Sequence, residues 1–424
     1  MIWLYRILVA GLLPLVIPVL KIRDRLRGKR RPSFSGRFAR DLPDLPTGCL
    51  WLHAVSVGEV EIARRLVREL EALGSDFPVL VTATTATGLD LAQKTMGDAV
   101  TVIPCPLDLP GALGRVFDAA KPRAMIIVET ELWPEMLHQA GSRGVSAAVI
   151  NARLSDGSFR SYRRVRPMLR PLLEPLSLVL ARSRADSERF AELGVPQAKI
   201  RTVGNIKYDL EPDPNPLPWI EAARSAAAGR PIIVAGSTME GEESTVLDTV
   251  ARLEADGRSI FLILAPRHPE RFDMVAELVT RRGFSLARRS AEDGPTTDTT
   301  VFLLDTIGEL ARAYKTAEVA FIGGSLAMTG GHNPLEPAVW GVPVLSGPHV
   351  HNFSEVYDEM TAAGAARLVA DGDELAAALV HWLNNPVEAG AAGDAGRRVV
   401  ETNRGATALT AEALLDLAAE SVSR

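Results

Sequence analysis

Short apolar runs alternate with amphipathic helical patterns along the chain from residue 49 onward. In the first half, the runs that predict strands are residues 49–55, 78–84, 100–104, 124–130, 145–151 and 176–181. In the second half they are residues 231–236, 260–265, 300–304, 319–322 and 343–345. Most are continuous stretches of Val, Ile, Leu and Ala, which is typical of parallel strands buried on both faces. The pattern therefore predicts an α/β fold.

A proline-rich segment interrupts this alternation. Residues 210–218 contain four prolines, which neither a helix nor a central strand accommodates. The 424 residues also exceed the roughly 250–300 at which a single core stops growing. We therefore predict two doubly wound α/β domains, 32–209 and 219–424, joined by the linker 210–218, with the C-terminal helices in the second domain. Two such domains facing one another would leave a cleft at the carboxyl ends of their strands, where α/β sheets bind ligands.

The N-terminal segment 1–31 has a different character. Residues 7–20 are apolar and uncharged, and residues 21–31 contain seven Lys or Arg with Asp24 as the only acid. This apolar run is shorter than the roughly 20 residues that span a bilayer as a helix, and no small-residue cleavage site follows it. It is compatible with a buried helix that has a solvated basic flank. We predict instead a membrane-seated segment with cations among lipid headgroups, and the following domain on the cytoplasmic side.

Composition excludes some functional classes. A net charge of −5 gives no general reason to expect nucleic-acid binding. Cys49 and Cys105 have neither metal-ligand spacing nor a disulfide framework, which favours a reducing compartment. No Walker loop or dinucleotide fingerprint occurs. Asp371-Gly372-Asp373 has a spacing that holds a metal in some sugar transferases, but it precedes a helical pattern. We therefore predict no metal and assign Asp373 as a helix N-cap.

Polar turns follow several strands predicted in the second half, and their residues should converge at one sheet edge. The turn 235–241 suits a phosphate because it presents N–H groups at a helix start. The turn 265–270 supplies basic side chains, and Glu336 is placed to hydrogen-bond vicinal hydroxyls such as those of a ribose. Each turn alone is compatible with an ordinary strand–helix connection. Together they predict a nucleotide-binding edge formed by Ser237, Arg267, His268, Gly323, Gly324, Ser325, Asn333 and Glu336.

A second polar edge is predicted in the first half, and its residues are Ser56, Gly58, Glu59, Glu129, Glu131 and Arg153. Glu129 at a strand end and Glu131 at a helix start can serve acid/base or binding roles, and helix capping with solvated charge is the alternative. Arginines are dense over residues 160–170. This arginine cluster could bind an anionic ligand or form a solvated helix face, and the sequence leaves both open.

Taken together, these motifs resemble the 3-deoxy-D-manno-octulosonic acid (Kdo) transferases of lipopolysaccharide assembly. The residues that carry the resemblance are HAVSVGE at 53–59, ETELWP at 129–134, NARLS at 151–155, GNIK at 204–207, PRH at 266–268 and GHNPLEP at 331–337. The resemblance implies two facing Rossmann-like domains (the GT-B architecture) and no metal or other cofactor. It implies CMP-Kdo as donor at the polar edge of the second half and a lipid A precursor as acceptor at the polar edge of the first half. It also implies an inverting transfer at the cytoplasmic face of the inner membrane.

The sequence departs from that family at one position. The family carries a Glu, the proposed general base, just before an Arg-aromatic-Gly triplet; here the stretch is Ser35-Gly36-Arg37-Phe38-Ala39, with Gly36 in place of the Glu. Glycine cannot accept a proton, so we predict Glu131 or Asp41 as the base. A related transferase with another donor or acceptor, and a catalytically silent relative that binds donor or lipid, are the alternative hypotheses.

Overall fold

The computed structural model describes residues 2–26, 34–213, 215, 217–291 and 293–420. The chain divides into two compact units, the first made of Met1–Asp209 and Arg404–Arg424 and the second of Leu210–Asn403. Each unit contains a seven-stranded sheet in which all paired strands are parallel. The α/β prediction is therefore confirmed for both halves.

The first unit has the strand order β3-β2-β1-β4-β5-β6-β7. Its strands are β1 Leu50–Ala54, β2 Val79–Ala83, β3 Thr101–Pro104, β4 Ala124–Val128, β5 Ser146–Ala152, β6 Leu176–Ala181 and β7 Ile200–Thr202. Its helices are α1 Ile2–Leu26, α2 Phe34–Arg37, α3 Val57–Ala72, α4 Ala86–Met96, α5 Pro110–Ala120, α6 Pro134–Ser142, α7 Asp156–Arg164, α8 Arg166–Leu173 and α9 Arg184–Leu193, together with α18, Ala406–Glu420.

The second unit has the strand order β10-β11-β9-β8-β12-β13-β14. Its strands are β8 Ile232–Thr238, β9 Phe261–Pro266, β10 Leu286–Arg288, β11 Val301–Leu303, β12 Val319–Ile322, β13 Val344–Ser346 and β14 Ala366–Leu368. Its helices are α10 Pro218–Ala227, α11 Glu242–Ala255, α12 Phe272–Arg281, α13 Leu310–Ala313, α14 Leu335–Ala338, α15 Ser354–Ala362, α16 Gly372–Asn384 and α17 Pro386–Thr402.

The central strands are buried because helices cover both faces of each sheet. Along β1, Leu50 and Leu52 pack into one hydrophobic cluster and Trp51 into another, and all three are fully buried. Period-2 alternation sends successive side chains to opposite faces, so both faces must be apolar. Polar side chains are therefore left for the strand ends, where the connections to helices begin.

The last helix belongs to the first unit, whereas the sequence pattern assigned it to the second domain. Leu414 and Ala411 of α18 share a buried cluster with Leu66 of α3. Asp209 accepts hydrogen bonds from the N–H groups of Gly405 (2.6 Å) and Thr407 (2.5 Å) at the start of α18. An apolar face shows that a helix is buried, but it does not show which domain the helix packs against. Its place therefore depends on contacts distant in sequence.

The first helix is attached to the first unit by polar contacts near its start. Tyr5 donates to Asp108 (2.6 Å), and Arg6 makes two hydrogen bonds to Glu135 (2.8 and 2.9 Å). Trp3 and Ile7 remain 70% and 68% exposed. Among the described residues, no helix is both long and apolar enough to cross a bilayer. The predicted contact of residues 27–31 with headgroups lies outside the described residues.

Candidate functional site

Ser56 and Glu59 form a cap at the start of α3, directly after β1. Ser56 is the N-cap, and its hydroxyl accepts the N–H of Glu59 and donates to the Glu59 carboxylate at 3.1 Å. The other Glu59 oxygen accepts the N–H of Val55 at 2.6 Å. Burial, reinforced by the charges of Glu129 and Glu131, raises the pKa of Glu59 to about 7. Gly58 lies in the same first helical turn, so these three candidates share one helix start.

Glu129 and Glu131 follow β4. Glu129 has a left-handed backbone (φ +61°), which L-residues adopt at a cost of about 1–3 kcal/mol. Its carboxylate lies 3.0 Å from the ammonium of Lys207, with both side chains about four-fifths buried. Burial and the charge of Glu129 raise the pKa of Glu131. The Thr130 hydroxyl donates to the carbonyl of Arg153, which holds the turn after β4 against the end of β5. The structure thus brings Glu59, Glu129 and Glu131 together.

Lys207 and Asn151 are site residues that the sequence analysis did not select, although both lie in the quoted motifs. Asn151 is fully buried with a left-handed backbone (φ +48°), and its side-chain oxygen accepts the N–H of Ile206 at 3.0 Å. Ile206 begins the short 3₁₀ helix Ile206–Tyr208 that carries Lys207. Arg65 donates to the carbonyl groups of Ile206 and Lys207 (2.9 and 3.2 Å). Asn151 therefore helps to position the lysine that pairs with Glu129.

The segment around Gly36 is held beside the end of β3. Leu107 donates its N–H to the carbonyl of Arg37 at 2.7 Å, and Arg37 Nε donates to the carbonyl of Cys105 at 3.3 Å. Burial raises the pKa of Cys105, and among the smaller influences the charge of Arg37 lowers it and the charge of Glu131 raises it. The charges of Glu131 and of Arg37, which follows Gly36, therefore both influence the pKa of the Cys105 thiol. Glu131 and the Gly36 segment both lie at the carboxyl edge of the sheet.

Asp41, the other candidate base, is exposed and accepts a hydrogen bond from Ser35. His53, which opens the first quoted motif, belongs to the core. It is fully buried, its Nδ1 lies 3.0 Å from the hydroxyl of Thr82, and burial lowers its pKa to about 4. His53 is thus neutral at physiological pH. Glu131, by contrast, is partly buried, and burial raises its pKa.

In the second unit, the turn after β12 wraps around a carboxylate from another element. Glu242, the first residue of α11, is 2% exposed. Its two oxygens accept the N–H groups of Gly324 (2.6 Å), Ser325 (2.8 Å), Leu326 (2.8 Å) and Ala327 (3.1 Å). The N–H groups of Gly324 and Ser325, two members of the predicted nucleotide-binding edge, therefore donate to a carboxylate of the protein itself.

Close packing accounts for the glycines of this turn. A Cβ at Gly323 would lie 2.6 Å from the Ser237 carbonyl oxygen and 2.8 Å from the Glu242 carboxylate. Gly324 has φ +70°, which favours glycine. The Ser325 hydroxyl is buried and donates to the carbonyl of Ile322 at 2.6 Å. Gly323, Gly324 and Ser325 therefore allow the turn after β12 to pack closely around the carboxylate of Glu242.

Arg267 and His268 follow β9, and their charges join burial in lowering the pKa of His332 to about 4. The turns after β9 and β12 therefore converge. Arg267 is exposed, and its N–H donates to the carbonyl of Thr238 (3.0 Å), next to the left-handed Ser237 (φ +55°). The structure thus gathers the predicted basic pair around one neutral imidazole.

Asn333 and Glu336 shape the next turn. The Asn333 side-chain oxygen accepts the N–H of Leu335 at 3.1 Å, at the start of α14. Glu336 is half-buried, and its charge helps to raise the pKa of the buried Tyr314. The Tyr314 hydroxyl would lie 1.9 Å from a Cβ at Gly236, so this strand-end glycine makes room for the ring. Glu336 is thus presented beside the carboxyl ends of β8 and β12.

The Asp371–Asp373 pair caps a helix, although the N-cap differs from the one assigned. Asp371, rather than Asp373, is the N-cap of α16, and its oxygen accepts the N–H groups of Asp373 and Glu374, both at 3.0 Å. Asp373 forms an ion pair with Arg252. Within the described part of the chain, no group of three or more His, Cys, Asp or Glu side chains could hold a metal ion.

The arginine cluster of residues 160–170 lies on α7 and α8. No residue of α7 is buried, and its exposed Arg163 lies 3.5 Å from Glu192. Val165 and Met168 are exposed beside it, at 45% and 52%. This surface is accessible to an anionic ligand, and nothing in the geometry assigns one.

Comparison with known proteins gives consistent matches. Residues 29–210 match the family described as 3-Deoxy-D-manno-octulosonic-acid transferase (kdotransferase). The 3-deoxy-D-manno-octulosonic acid transferase of Haemophilus influenzae is 37% identical over 88% of this chain and 87% of that protein. Its counterpart from Bordetella pertussis is 35% identical over 97% and 98%. The solved glycosyltransferase of kitacinnamycin is 16% identical, covers 88% of this chain and 99% of its own, and has a TM-score of 0.56, a likeness of fold alone.

Proposed function

The chain belongs to the Kdo transferase family, and we propose from this that it transfers Kdo from CMP-Kdo to a lipid A precursor at the cytoplasmic face of the inner membrane. Membership makes it a glycosyltransferase of lipopolysaccharide biosynthesis. The donor, the acceptor, the location and the stereochemistry are the proposed parts. In this reaction an acceptor hydroxyl attacks the anomeric carbon of Kdo, the bond from that carbon to the CMP phosphate oxygen breaks, and the configuration inverts. The hydroxyl proton passes to a base.

We assign the base to Glu131. The arrangement that carries this assignment is the carboxylate cluster after β1 and β4, in which burial and Glu129 raise the pKa of Glu131. A base is most effective when its pKa lies near the working pH. Asp41 is exposed and already accepts a hydrogen bond from Ser35. We therefore prefer Glu131 for proton transfer, with Glu129 and Lys207 holding its surroundings.

The donor is assigned to the second unit. Arg267 is exposed at the end of β9, where its guanidinium can neutralise the CMP phosphate, and Glu336 can accept hydrogen bonds from ribose hydroxyls. His268 and Asn333 complete this side of the site. Ser237, Gly323, Gly324 and Ser325 contribute the shape of the two neighbouring turns.

The acceptor is assigned to the edge that contains Ser56, Gly58, Glu59, Glu129 and Arg153. A lipid acceptor requires the enzyme to approach a membrane, and the exposed Trp3 and Ile7 of α1 offer an apolar face for that approach. The basic residues 21–31 would add attraction to anionic lipid of about 1 kcal/mol each.

Gly36 favours one alternative, a silent relative that binds the nucleotide without transferring sugar. A purified-protein assay separates the two proposals by following CMP release from CMP-Kdo with and without a lipid A precursor. Release that depends on the lipid supports transfer. Tight CMP binding with no release under any acceptor condition would support the silent relative.

Nucleotide binding is tested separately by calorimetric titration with CMP. Loss of a charge-assisted phosphate contact in Arg267→Ala should weaken binding by about 1.5–3 kcal/mol. Arg281→Ala, at an exposed position on α12, is the matched control and should bind as the wild type does. Equal affinities for all three proteins would remove Arg267 from the site.

Membrane attachment is tested by flotation with vesicles that contain anionic lipid. Trp3→Glu with Ile7→Glu places two charges on the exposed face of α1 and should reduce flotation. Val387→Glu is the control, because Val387 is 86% exposed in the second unit. Unchanged flotation of the double variant would place the lipid contact elsewhere.

A further inference from the structure

The turn after β12 has the geometry of an anion site whose anion is part of the protein. Four consecutive N–H groups, from Gly324 to Ala327, converge on the carboxylate of Glu242 at 2.6–3.1 Å. Converging backbone amides of this kind bind phosphate in many proteins. Here they donate to a carboxylate whose residue is 2% exposed. We call residues 324–327 together with Glu242 the filled nest.

The filled nest adjoins the side chains assigned to the donor. A Cβ at Gly324 would lie 2.8 Å from the ring of His332, whose pKa is lowered in part by the charges of Arg267 and His268. Gly331 also donates its N–H to the carbonyl of Gly324 at 2.7 Å. A phosphate bound at Arg267 would therefore lie near the filled nest. A second phosphate attached to the first would approach the negatively charged carboxylate of Glu242.

The other charges on this side also disfavour a second phosphate. Glu243, which follows Glu242, makes two hydrogen bonds to Arg271 (2.6 and 2.9 Å) and is 1% exposed. Glu240 and Glu242 also raise the pKa of Arg271 through their charges. Arg271 is thus engaged by protein, and the charges of three acidic residues, Glu240, Glu242 and Glu243, act on it.

We propose that Glu242 occupies the place of a second phosphate and thereby makes the donor site selective for a nucleoside monophosphate over a nucleoside diphosphate. Glu242 acts through the backbone turn and the local charge, so it is a specificity-determining residue rather than a catalytic one. The inference rests on the proposed assignment of the donor to this unit. It goes beyond that assignment by naming the group that limits the number of phosphates.

The test is the ratio of the dissociation constants of CMP and CDP, measured by calorimetry. Wild type should prefer CMP by roughly ten-fold or more, equivalent to about 1.4 kcal/mol. Glu242→Ala exposes the four amides to ligand, so the preference should shrink or reverse. Added formate, a small carboxylate, should refill the nest and restore the preference. A turn that had merely lost its structure would not respond to formate.

The matched control is Glu254→Gln, which removes one negative charge at an exposed position near the end of α11, the helix that Glu242 begins. Its CMP-to-CDP ratio should stay near that of wild type. Circular dichroism and thermal unfolding establish that each variant is folded, and Glu242→Gln offers a second variant of nearly unchanged volume. The proposal would be overturned if folded Glu242→Ala and Glu242→Gln kept the wild-type ratio of CMP and CDP dissociation constants. It would also be overturned if wild type bound CMP and CDP with equal affinity.

Failure of the proposed function gives a different result. Titrations with UMP and UDP run beside those with CMP and CDP. If the protein binds uridine nucleotides instead, the assignment of CMP-Kdo fails, while the monophosphate-to-diphosphate ratio still tests Glu242. If Glu242→Ala leaves that ratio unchanged while CMP binds tightly, the inference fails and the assignment of the donor stands.

Discussion

The ammonium of Lys207 lies 3.0 Å from the carboxylate of Glu129, and it joins the turn after β4 to the 3₁₀ helix after β7. This ion pair fixes the position of the Glu129 carboxylate, one of the negative charges of the carboxylate cluster. The backbone of Glu129 is left-handed. Burial and, after it, the charge of Glu129 raise the pKa of the neighbouring Glu131. A residue of the proposed acceptor edge therefore also influences the protonation of the proposed base.

Glu129→Gln should lower the pKa of Glu131, because it removes a like charge and leaves the side-chain volume nearly unchanged. Since the ionised form of Glu131 is the proposed base, the acid limb of turnover should move to lower pH. The measurement is kcat as a function of pH with CMP-Kdo and the lipid A precursor. Asp44→Asn, at an exposed position of the same unit, should leave the profile in place. An acid limb that stays fixed in Glu129→Gln would show that Glu131 does not control it.

Burial of Glu59 predicts a pH dependence of stability. Its folded-state pKa, about 7, lies above that of an unfolded glutamate, so the folded state retains the proton as pH rises. The loss of folding free energy that this higher pKa causes is absent below about pH 4.5, where Glu59 is protonated in both states. It grows with pH until the pH passes about 7. The first unit should therefore lose stability over this window, by roughly 3 kcal/mol at most from Glu59.

Glu59→Gln should flatten that loss, because glutamine has no proton to release. The measurement is urea unfolding at pH 5 and pH 7, compared between variants. Glu71→Gln, at an exposed position in the last turn of α3, is the control and should keep the wild-type slope. Asp108, whose pKa burial raises to about 6, acts in the same direction and accounts for the slope that remains. Identical slopes in Glu59→Gln and wild type would contradict the assignment.

Arg6 and Glu135 form a pair in which the carboxylate is completely buried. Arg6→Met should destabilise the first unit by about 3–5 kcal/mol, because it leaves a buried charge without its partner. Thermal unfolding measures the loss. Glu135→Gln added to Arg6→Met should recover part of it, since an uncharged amide costs less to bury. Equal unfolding temperatures for wild type and Arg6→Met would indicate that α1 is not held through this pair.

The strands were accessible to sequence reasoning where their interiors are apolar, as at Leu176–Ala181 and Val319–Ile322, whose bounds agree with the prediction. The missed strands β7, β10 and β14 have three residues each, and most of these residues are partly or fully exposed. Too few apolar positions remain in such edge strands to mark them. Helix α18 was assigned to the wrong unit for a related reason, because an amphipathic pattern does not indicate which domain the apolar face packs against.

In the candidate site, sequence reasoning identified the turns but not all of their roles. Ser56 and Glu59 carry the spacing of a capping box. In the structure Ser56 caps the N–H of Glu59, whereas Glu59 accepts the N–H of Val55, one residue before the N-cap. Glu242 was missed because an acid at a helix start suits the helix dipole and needs no other explanation. Its hydrogen bonds reach 82–85 residues along the chain. Such contacts arise from the sheet order, which brings β8 next to β12.

The assignment of the base to Glu131 can be tested by removing its carboxylate and placing another at position 36. Glu131→Gln should reduce turnover by about 10²–10⁴-fold, the usual value of a general base, while CMP binding stays unchanged because the donor is assigned to the other unit. The Gly36 segment lies at the same sheet edge as Glu131, so Gly36→Glu should place a carboxylate where the family carries its base. Adding Gly36→Glu to Glu131→Gln should therefore recover turnover. Asp41→Asn is the control and should retain wild-type turnover. Full activity in Glu131→Gln would remove Glu131 as the base, and loss of activity in Asp41→Asn alone would transfer that role to Asp41.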